Sequence, residues 1–460
     1  MTFVAEACGA AGPPGAAEVK IQNVCTDSRL ARPGDVFFAI KGEKFDGHDF
    51  IAAVAAKGVA AVVVEKSKVS GLQSQVPPGC AVLAVADVRA AFGKLAAAYR
   101  RDFSLPIVAV GGSNGKTTTK ELLASVLRQK LTTLWSEASF NNDIGVPATL
   151  LRLERSHQAA VLEAGTNHPG ELAPLVKMIR PQCGVITNIG REHLEFFGDV
   201  AGVAQEEGGL AELLPADGKL FLNGDGEWAD RIAARTKAKV VRAGFGEKND
   251  WRATKVRLDK NGATFQVTGP NPEFCGEYRI NLLGRHQVAN ALLVIGSGEE
   301  HGLGRAEIQR GLAECQPPKM RLQFWEAGGV RVLEDCYNAN ADSVRAALET
   351  LCDLPLQGRR VAVLGDMAEL GAHTEAAHAE IGRRAAELKI GQLFTVGENA
   401  AATARAARDA GLTRVIEFAG VEAAVRAVKN FLKPGDVVLL KASRSSRLER
   451  IAETLRSEKL

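Results

Sequence analysis

The sequence predicts an α/β protein of three domains, and three observations carry that expectation. At 460 residues the chain exceeds what one hydrophobic core ordinarily serves, since domains commonly hold roughly 100–200 residues. Short aliphatic runs alternate with alanine-rich helical stretches along most of the chain, the pattern of parallel strands covered by helices. A glycine-rich turn at residues 111–115 joins a strand-like run to a helical one, and doubly wound sheets gather their ligands at such junctions.

The elements follow in order. After an Ala/Gly/Pro-rich opening, read as low-complexity over the first 17 residues, Val36 to Ile40 reads as a strand, Phe50 to Lys57 as a helix and Ala60 to Val64 as a second strand. This predicts a small α/β domain. The helical stretch Val88 to Tyr99 ends near Arg101, and a fresh strand, Pro106 to Val110, enters the glycine-rich turn, which puts the first domain over residues 1–103. Across residues 104–316, runs such as Ala159 to Leu162 and Gly184 to Thr187 alternate with helical segments and predict a doubly wound parallel sheet. The chain restarts after Pro317-Pro318. Strands at Arg331 to Leu333, Val361 to Leu364, Gln392 to Val396 and Val437 to Leu440 then predict a Rossmann-like α/β domain over residues 317–460.

Composition narrows the class. Hydrophobic residues make up 46% and charged residues 24%, enough apolar material for several cores. The net charge of +3 comes from 57 basic and 54 acidic residues, too even a mixture for a nucleic-acid or membrane surface. The eight cysteines form no C-x-x-C pair, so buried reduced thiols are expected rather than zinc or a disulfide framework. Met1 to Ala17 lacks a basic start followed by an apolar run, and no stretch reaches the roughly 18 apolar residues that span a bilayer. A cytoplasmic protein is expected, and, with no oligomer signal, a monomer.

The chemistry is concentrated in Gly111-Gly112-Ser113-Asn114-Gly115-Lys116-Thr117-Thr118-Thr119, which follows a strand and opens a helix expected from Lys120 to Gln129. In that setting backbone N–H groups and a helix N-terminus cradle phosphates, a lysine neutralises charge, and a threonine hydroxyl can ligate magnesium. The loop departs from the usual G-x-x-x-x-G-K-[ST] pattern because Val110 stands at the first glycine. Glu163 ends a predicted strand and His193 follows another, on the same carboxyl edge. A carboxylate there can complete the oxygen-rich shell that magnesium prefers.

The Gly-x-Asn-Gly-Lys-Thr-Thr loop resembles the phosphate loop of the Mur ligase family. Further resemblances fall in order at Phe140 to Pro147, Leu162 to His168, Thr187 to Leu194 and Leu283 to Ala291. The resemblance implies ATP and Mg2+ as cofactors, with Gly112, Ser113, Asn114, Gly115, Lys116, Thr117 and Thr118 around the phosphates. It implies Thr117 and Glu163 on a first metal ion, His193 on a second, Asn290 at the base, Arg321 facing phosphate and Asp335 at the ribose. Carboxylate-to-hydroxyl and guanidinium-to-phosphate contacts suit those last two roles. Without the resemblance, Asn290 could equally be a helix-start asparagine.

The ends of the chain discriminate among family members. Thr26-Asp27-Ser28-Arg29 and Lys41 to Phe50 resemble the domain that holds the UDP end of a muramyl substrate, so Ser28 and Arg29 are candidate contacts there, and Asn142 is a further substrate candidate. Ser28 and Arg29 could also form a plain polar turn. Leu440-Lys441-Ala442-Ser443-Arg444-Ser445 and Leu364 to Gly371 are similar to segments of the member that adds D-alanyl-D-alanine, which makes Lys441, Ser443 and Arg444 candidates for binding it. The Asp-Asn-Pro-Arg and Gly-Lys-Gly-His-Glu segments of the diaminopimelate- or lysine-adding sibling do not occur. The implied reaction joins D-Ala-D-Ala to UDP-MurNAc-tripeptide through an acyl phosphate, for peptidoglycan synthesis. A tripeptide-forming sibling, a folylpolyglutamate synthase and a nucleotide-gated binding protein without ligase activity remain as alternatives.

One position departs from the family. Glu207 falls where a lysine usually reacts with carbon dioxide to form a carbamate. As a permanent carboxylate it is expected to serve catalysis beside the second magnesium, directly or through water. The alternative is an ordinary helix-surface glutamate, with Glu206 or Gln205 competing for the position.

Overall fold

The computed structural model describes residues 1–10, 19–72, 75–355 and 357–457. The chain divides into two compact units, one of residues 1–105, 139–157 and 175–180, the other of residues 106–138, 158–174 and 181–460.

The first unit contains a parallel sheet of β1 (Val24–Cys25), β2 (Val36–Phe38), β3 (Ala61–Glu65) and β4 (Ala81–Val85), in that order. Both sides of β2 and β3 are covered, which is why those strands are continuous apolar runs rather than alternating ones. The helix Val88–Arg100 starts at Asp87, whose side chain accepts from the Ala90 N–H at 2.9 Å. It packs Val88, Phe92 and Leu95 against Phe38 and Val63. The opening of the chain corrects the low-complexity reading: Thr2–Cys8 is a helix that buries Val4, Ala5 and Cys8 in the same core. Residues 11–17 of that stretch lie outside the described residues.

The second unit carries two sheets. The larger runs β13-β12-β11-β10-β9-β8-β5-β7-β6, with β5 (Ile107–Gly111), β6 (Thr133–Trp135), β7 (Ala159–Glu163), β8 (Cys183–Ile186), β9 (Lys219–Asn223) and β10 (Lys239–Gly244) all parallel. Every residue of β5, β7 and β8 is buried, as strands covered on both faces require. The expected parallel sheet is extended at one edge by β11 (Trp251–Asp259), which pairs parallel with β10, and then by β12 (Gly262–Thr268) and β13 (Gly276–Ile280), which continue antiparallel. The alternating polar and apolar residues of that meander gave weaker strand signals than the aliphatic runs. Trp251, Phe265 and Tyr278 point inward to the core shared with the helix Arg285–Glu300.

The smaller sheet runs β14-β15-β19-β16-β17-β18, from β14 (Gln323–Ala327), β15 (Val330–Asp335), β16 (Arg360–Gly365), β17 (Gln392–Val396), β18 (Val415–Phe418) and β19 (Val437–Lys441). It is parallel except for the edge strand β14. Its core also takes in Leu194, Phe197, Val203 and Leu283 from the segment preceding residue 316. Among the described residues, no helix is long and apolar enough to cross a membrane.

Candidate active site

In the larger sheet β5 lies between β7 and β8, so the connections leave its carboxyl end in opposite directions and open a crevice there. The turn after β5, the end of β7 and the segment after β8 meet in that crevice. The helix expected from Lys120 begins four residues earlier, at Lys116, because Gly115 with φ of +86° turns the chain straight into it. Gly112 takes φ of +107°, and a Cβ there would stand 2.8 Å from the Thr187 backbone nitrogen and 2.5 Å from its Oγ1. Only glycine fits.

The loop is fastened on several sides. Ser113 N–H donates to the Asn188 carbonyl at 2.8 Å, and Asn114 N–H to Asn188 Oδ1 at 2.7 Å. Gly112 N–H donates to Glu207 Oε2 at 2.6 Å. Lys116 Nζ folds over its own loop, 2.5 Å from the Gly112 carbonyl, 3.1 Å from Glu192 Oε2 and 3.8 Å from Glu207 Oε1. Burial pulls the lysine pKa down, but Glu192, Glu207 and Glu163 together hold it above its usual value. Burial pushes the Glu207 carboxyl up to about 8 against the pull of Lys116, and Glu192 adds to the rise. Thr117 Oγ1 donates to Glu163 Oε1 at 3.2 Å.

Glu163, Glu192 and Glu207 are buried at 1%, 5% and 0% exposure around one lysine. Oε1 of both Glu192 and Glu207 is buried without a hydrogen-bond partner. The Glu163 carboxylate beside the Thr117 hydroxyl, 3.2 Å away, is a pair of hard oxygen donors of the kind magnesium prefers, so these two residues fit a first ion.

His193 adopts φ of +47°, and its Nδ1 stands 2.5 Å from Oε2 of Glu369, itself at φ of +59°. The histidine holds the Glu369 carboxyl below the usual range. Left-handed backbone costs a non-glycine residue on the order of 1–3 kcal/mol, and such residues cluster at functional sites.

Residues from the two sheets of the second unit converge on a cavity of about 380 Å3 lined by Asn114, Gly115, Thr118, Asn290, Arg321, Asp335 and Lys441, among others. Asn290 presses on the loop: a Cβ on Gly115 would be 2.8 Å from its amide nitrogen. Arg321 Nη2 donates to Thr117 Oγ1 at 3.2 Å while its guanidinium stacks 4.2 Å from the Tyr337 ring centroid. Asn340 Nδ2 donates to Asn114 Oδ1 at 2.9 Å. Arg191 pairs with Asp342 at 2.7 Å and Glu380 at 2.5 Å, and those carboxylates hold its pKa up.

Not every candidate falls where its motif suggested. Lys441, grouped with Ser443 and Arg444 in sequence, pairs instead with Asp335 at 2.8 Å and lines the phosphate-loop cavity. Ser443 and Arg444 border a separate cleft with His193, Tyr337, Asn338 and Glu369. Ser443 is mostly engaged in the fold, its Oγ accepting from Ala368 N–H at 2.9 Å, whereas the Arg444 side chain is 61% exposed. Glu207 is no surface residue. Its neighbour Glu206 accepts from the N–H groups of Gly170 and Leu172 at 2.9 and 2.8 Å, which leaves Glu207 as the residue of that helix aimed at the phosphate loop.

In the first unit, Ser28 and Arg29 lie in the turn after β1, with both carbonyls accepting from Lys57 Nζ. The Arg29 guanidinium is 85% exposed and pairs with Asp27 at 2.6 Å, holding that carboxyl down at about 2. Asn142 Oδ1 accepts from Gly145 N–H at 2.9 Å at the start of the helix Gly145–Leu150. Motif reading missed Glu192, Glu369 and Asn340. All three lie in segments that carry the family resemblance, but only the fold shows what they face.

The family described as the Mur ligase middle domain matches residues 110–298, the Mur ligase glutamate ligase domain matches residues 320–444, and the Mur ligase family catalytic domain matches residues 20–100. The chain belongs to the Mur ligase family. It is 36% identical to the UDP-N-acetylmuramoyl-tripeptide--D-alanyl-D-alanine ligase of Escherichia coli K12 over 95% of this chain and 94% of that one. The MurF crystal structure from Acinetobacter baumannii superposes with a TM-score of 0.89 at 32% identity, covering 99% and 98% of the two chains. The MurF ligase of Thermotoga maritima in complex with ADP gives 0.83 at 25% identity, covering 96% and 98%.

Proposed function

We propose that this protein ligates D-alanyl-D-alanine to UDP-N-acetylmuramoyl-tripeptide at the expense of ATP, giving the pentapeptide precursor of peptidoglycan, ADP and phosphate. The observation that carries the reading is the convergence of the phosphate loop, Asn290, Arg321 and Asp335 around one cavity, with Glu163 bonded to Thr117 of that loop, in a chain so similar over its length to ligases named for that reaction. Residues 1–103 hold the UDP-muramyl peptide through Ser28 and Arg29, and Asn142, in the same compact unit, adds a contact. Residues 104–316 hold ATP, and residues 317–460 hold the dipeptide and complete the ATP site.

A free carboxylate is a poor acyl donor. Its oxygen must first take the γ-phosphoryl group, and the dipeptide amine then attacks the carbonyl and expels phosphate. Gly112 to Thr118 cradle the phosphates, Lys116 and Arg321 offset the charge spreading over the transferred group, Asp335 accepts from ribose, and Asn290 meets the base. Magnesium, held by Thr117 and Glu163 with a second ion at His193, supplies electrostatic stabilisation of the phosphoryl oxygens when bound. Ser443 and Arg444, beside the exposed cleft, serve the dipeptide, with the guanidinium suited to its carboxylate. Glu207 carries its carboxyl group without needing carbon dioxide, so stripping carbon dioxide and bicarbonate leaves activity unchanged. Bicarbonate-dependent rescue contradicts that. The enzyme acts as a cytoplasmic monomer.

Phosphate release over a matrix of UDP-muramyl peptides and amines tests the assignment. It requires the tripeptide together with D-Ala-D-Ala. Release driven by diaminopimelate or lysine with a UDP-muramyl dipeptide assigns the protein to the tripeptide-forming class instead. His193→Ala is expected to raise the magnesium concentration for half-maximal rate severalfold while ADP affinity changes little, because Thr117 and Glu163 still hold the first ion. An unchanged magnesium curve and rate would return His193 to a structural role.

A further inference from the structure

Glu207 ends the helix Val200–Glu207 and is fully buried against the phosphate loop. Its Oε2 receives the Gly112 N–H at 2.6 Å, and a Cβ on Gly111 would lie 2.9 Å from that same oxygen, so the carboxylate packs against two successive loop residues. Its other oxygen is 3.8 Å from the Lys116 ammonium, which Glu192 holds from another side at 3.1 Å. An ammonium between two buried carboxylates is held far more firmly than one in water, because the attraction is weakly screened there.

We infer that Glu207 is a positioning residue that acts through Gly112 and Lys116, fixing the loop and its ammonium in register for phosphoryl transfer. This deepens the proposed ligation and rests on it. It also departs from the expectation of a metal partner: the contacts that hold Glu207 run to the loop and its lysine. Gly112 sits at φ of +107°, and its N–H is satisfied by Glu207. The carboxylate's charge then sets where the lysine rests before ATP arrives.

The test is a double-mutant cycle at pH 9, using Lys116→Ala, Glu207→Gln and both together, with phosphate release and ADP binding by calorimetry as readouts. The glutamine can still accept from Gly112 N–H, so it removes charge with little loss of packing. In the otherwise native protein, Glu207→Gln should lower kcat at least tenfold, with ADP Kd and the half-saturating magnesium concentration within twofold. Made in the Lys116→Ala protein, the same change should lower kcat less than twofold, since coupled residues are not additive. The inference is overturned by an equal loss in both backgrounds, by full activity of Glu207→Gln, or by a shifted magnesium curve, which would mark a metal partner. Parallel weakening of ADP binding and kcat would mark a merely structural lesion and overturn it too. If Lys116→Ala turnover is below detection, the Kd and magnesium readouts in the single variant still decide. Native turnover with both substrates is measured first, so failure of the ligation assignment is visible apart from failure of this one.

Discussion

Replacing Lys116 with alanine should reduce kcat by a hundredfold or more while the protein stays folded. The ammonium is the principal positive charge of the phosphate loop, yet what it touches are two loop carbonyls and the Glu192 and Glu207 carboxylates rather than apolar core. Removing one preorganised charge aimed at a transferring group commonly costs about 3 kcal/mol of transition-state stabilisation, which is about a hundredfold. Loss of the ammonium also removes the cation between the buried Glu192 and Glu207 carboxylates, so phosphate affinity falls as well. Steady-state phosphate release together with a thermal melt reads both parts. Wild-type turnover in Lys116→Ala would remove the ATP site from this loop.

Gly112→Ala should be the more damaging change to the architecture. The residue sits at φ of +107°, and an added Cβ meets Thr187 N and the Asn188 carbonyl at 2.8 Å. Both are backbone atoms, so no rotamer change relieves the contact. The positive φ alone costs on the order of 1–3 kcal/mol, and the clash adds to it by forcing the loop away from β8 and from Glu207. ADP binding is expected to weaken at least tenfold, with a lowered melting temperature. Native ADP affinity and native melting in Gly112→Ala would show that the loop tolerates displacement and that its fixed shape is not what binds phosphate.

What could be read from the sequence was what lies close together along it. The loop at 111–119 is contiguous, and the aliphatic runs of β5, β7 and β8 mark fully covered strands, so the middle sheet and the positions of Lys116, Thr117 and Glu163 followed directly. His193 lies a few residues beyond such a strand, but its reading as a metal ligand comes from the family resemblance and not from that position. The rest depends on pairings across long stretches of chain. Asn340 reaches Asn114 over 226 positions, and Arg191 reaches Glu380 over 189, with no local pattern to announce either. Lys441 was grouped with its neighbours Ser443 and Arg444, but β19 ends at Lys441 and those two lie in the turn beyond it, where strand geometry no longer sets their direction. Register beside β15 sets Lys441 against Asp335. The buried setting of Glu207 was equally hidden, since its helix shows glutamates at both 206 and 207 and only packing decides which turns inward.

The account's central claim, ligation through a phosphorylated carboxylate, is tested most directly by oxygen transfer. UDP-MurNAc-tripeptide labelled with 18O in its terminal acceptor carboxylate is incubated with ATP, magnesium and D-Ala-D-Ala, and the released phosphate is analysed by mass spectrometry. The carboxylate oxygen that attacks the γ-phosphorus leaves with it when the amine displaces phosphate, so one labelled oxygen should appear in phosphate for each pentapeptide formed. Pentapeptide formed with unlabelled phosphate, or phosphate release without pentapeptide, would contradict the claim.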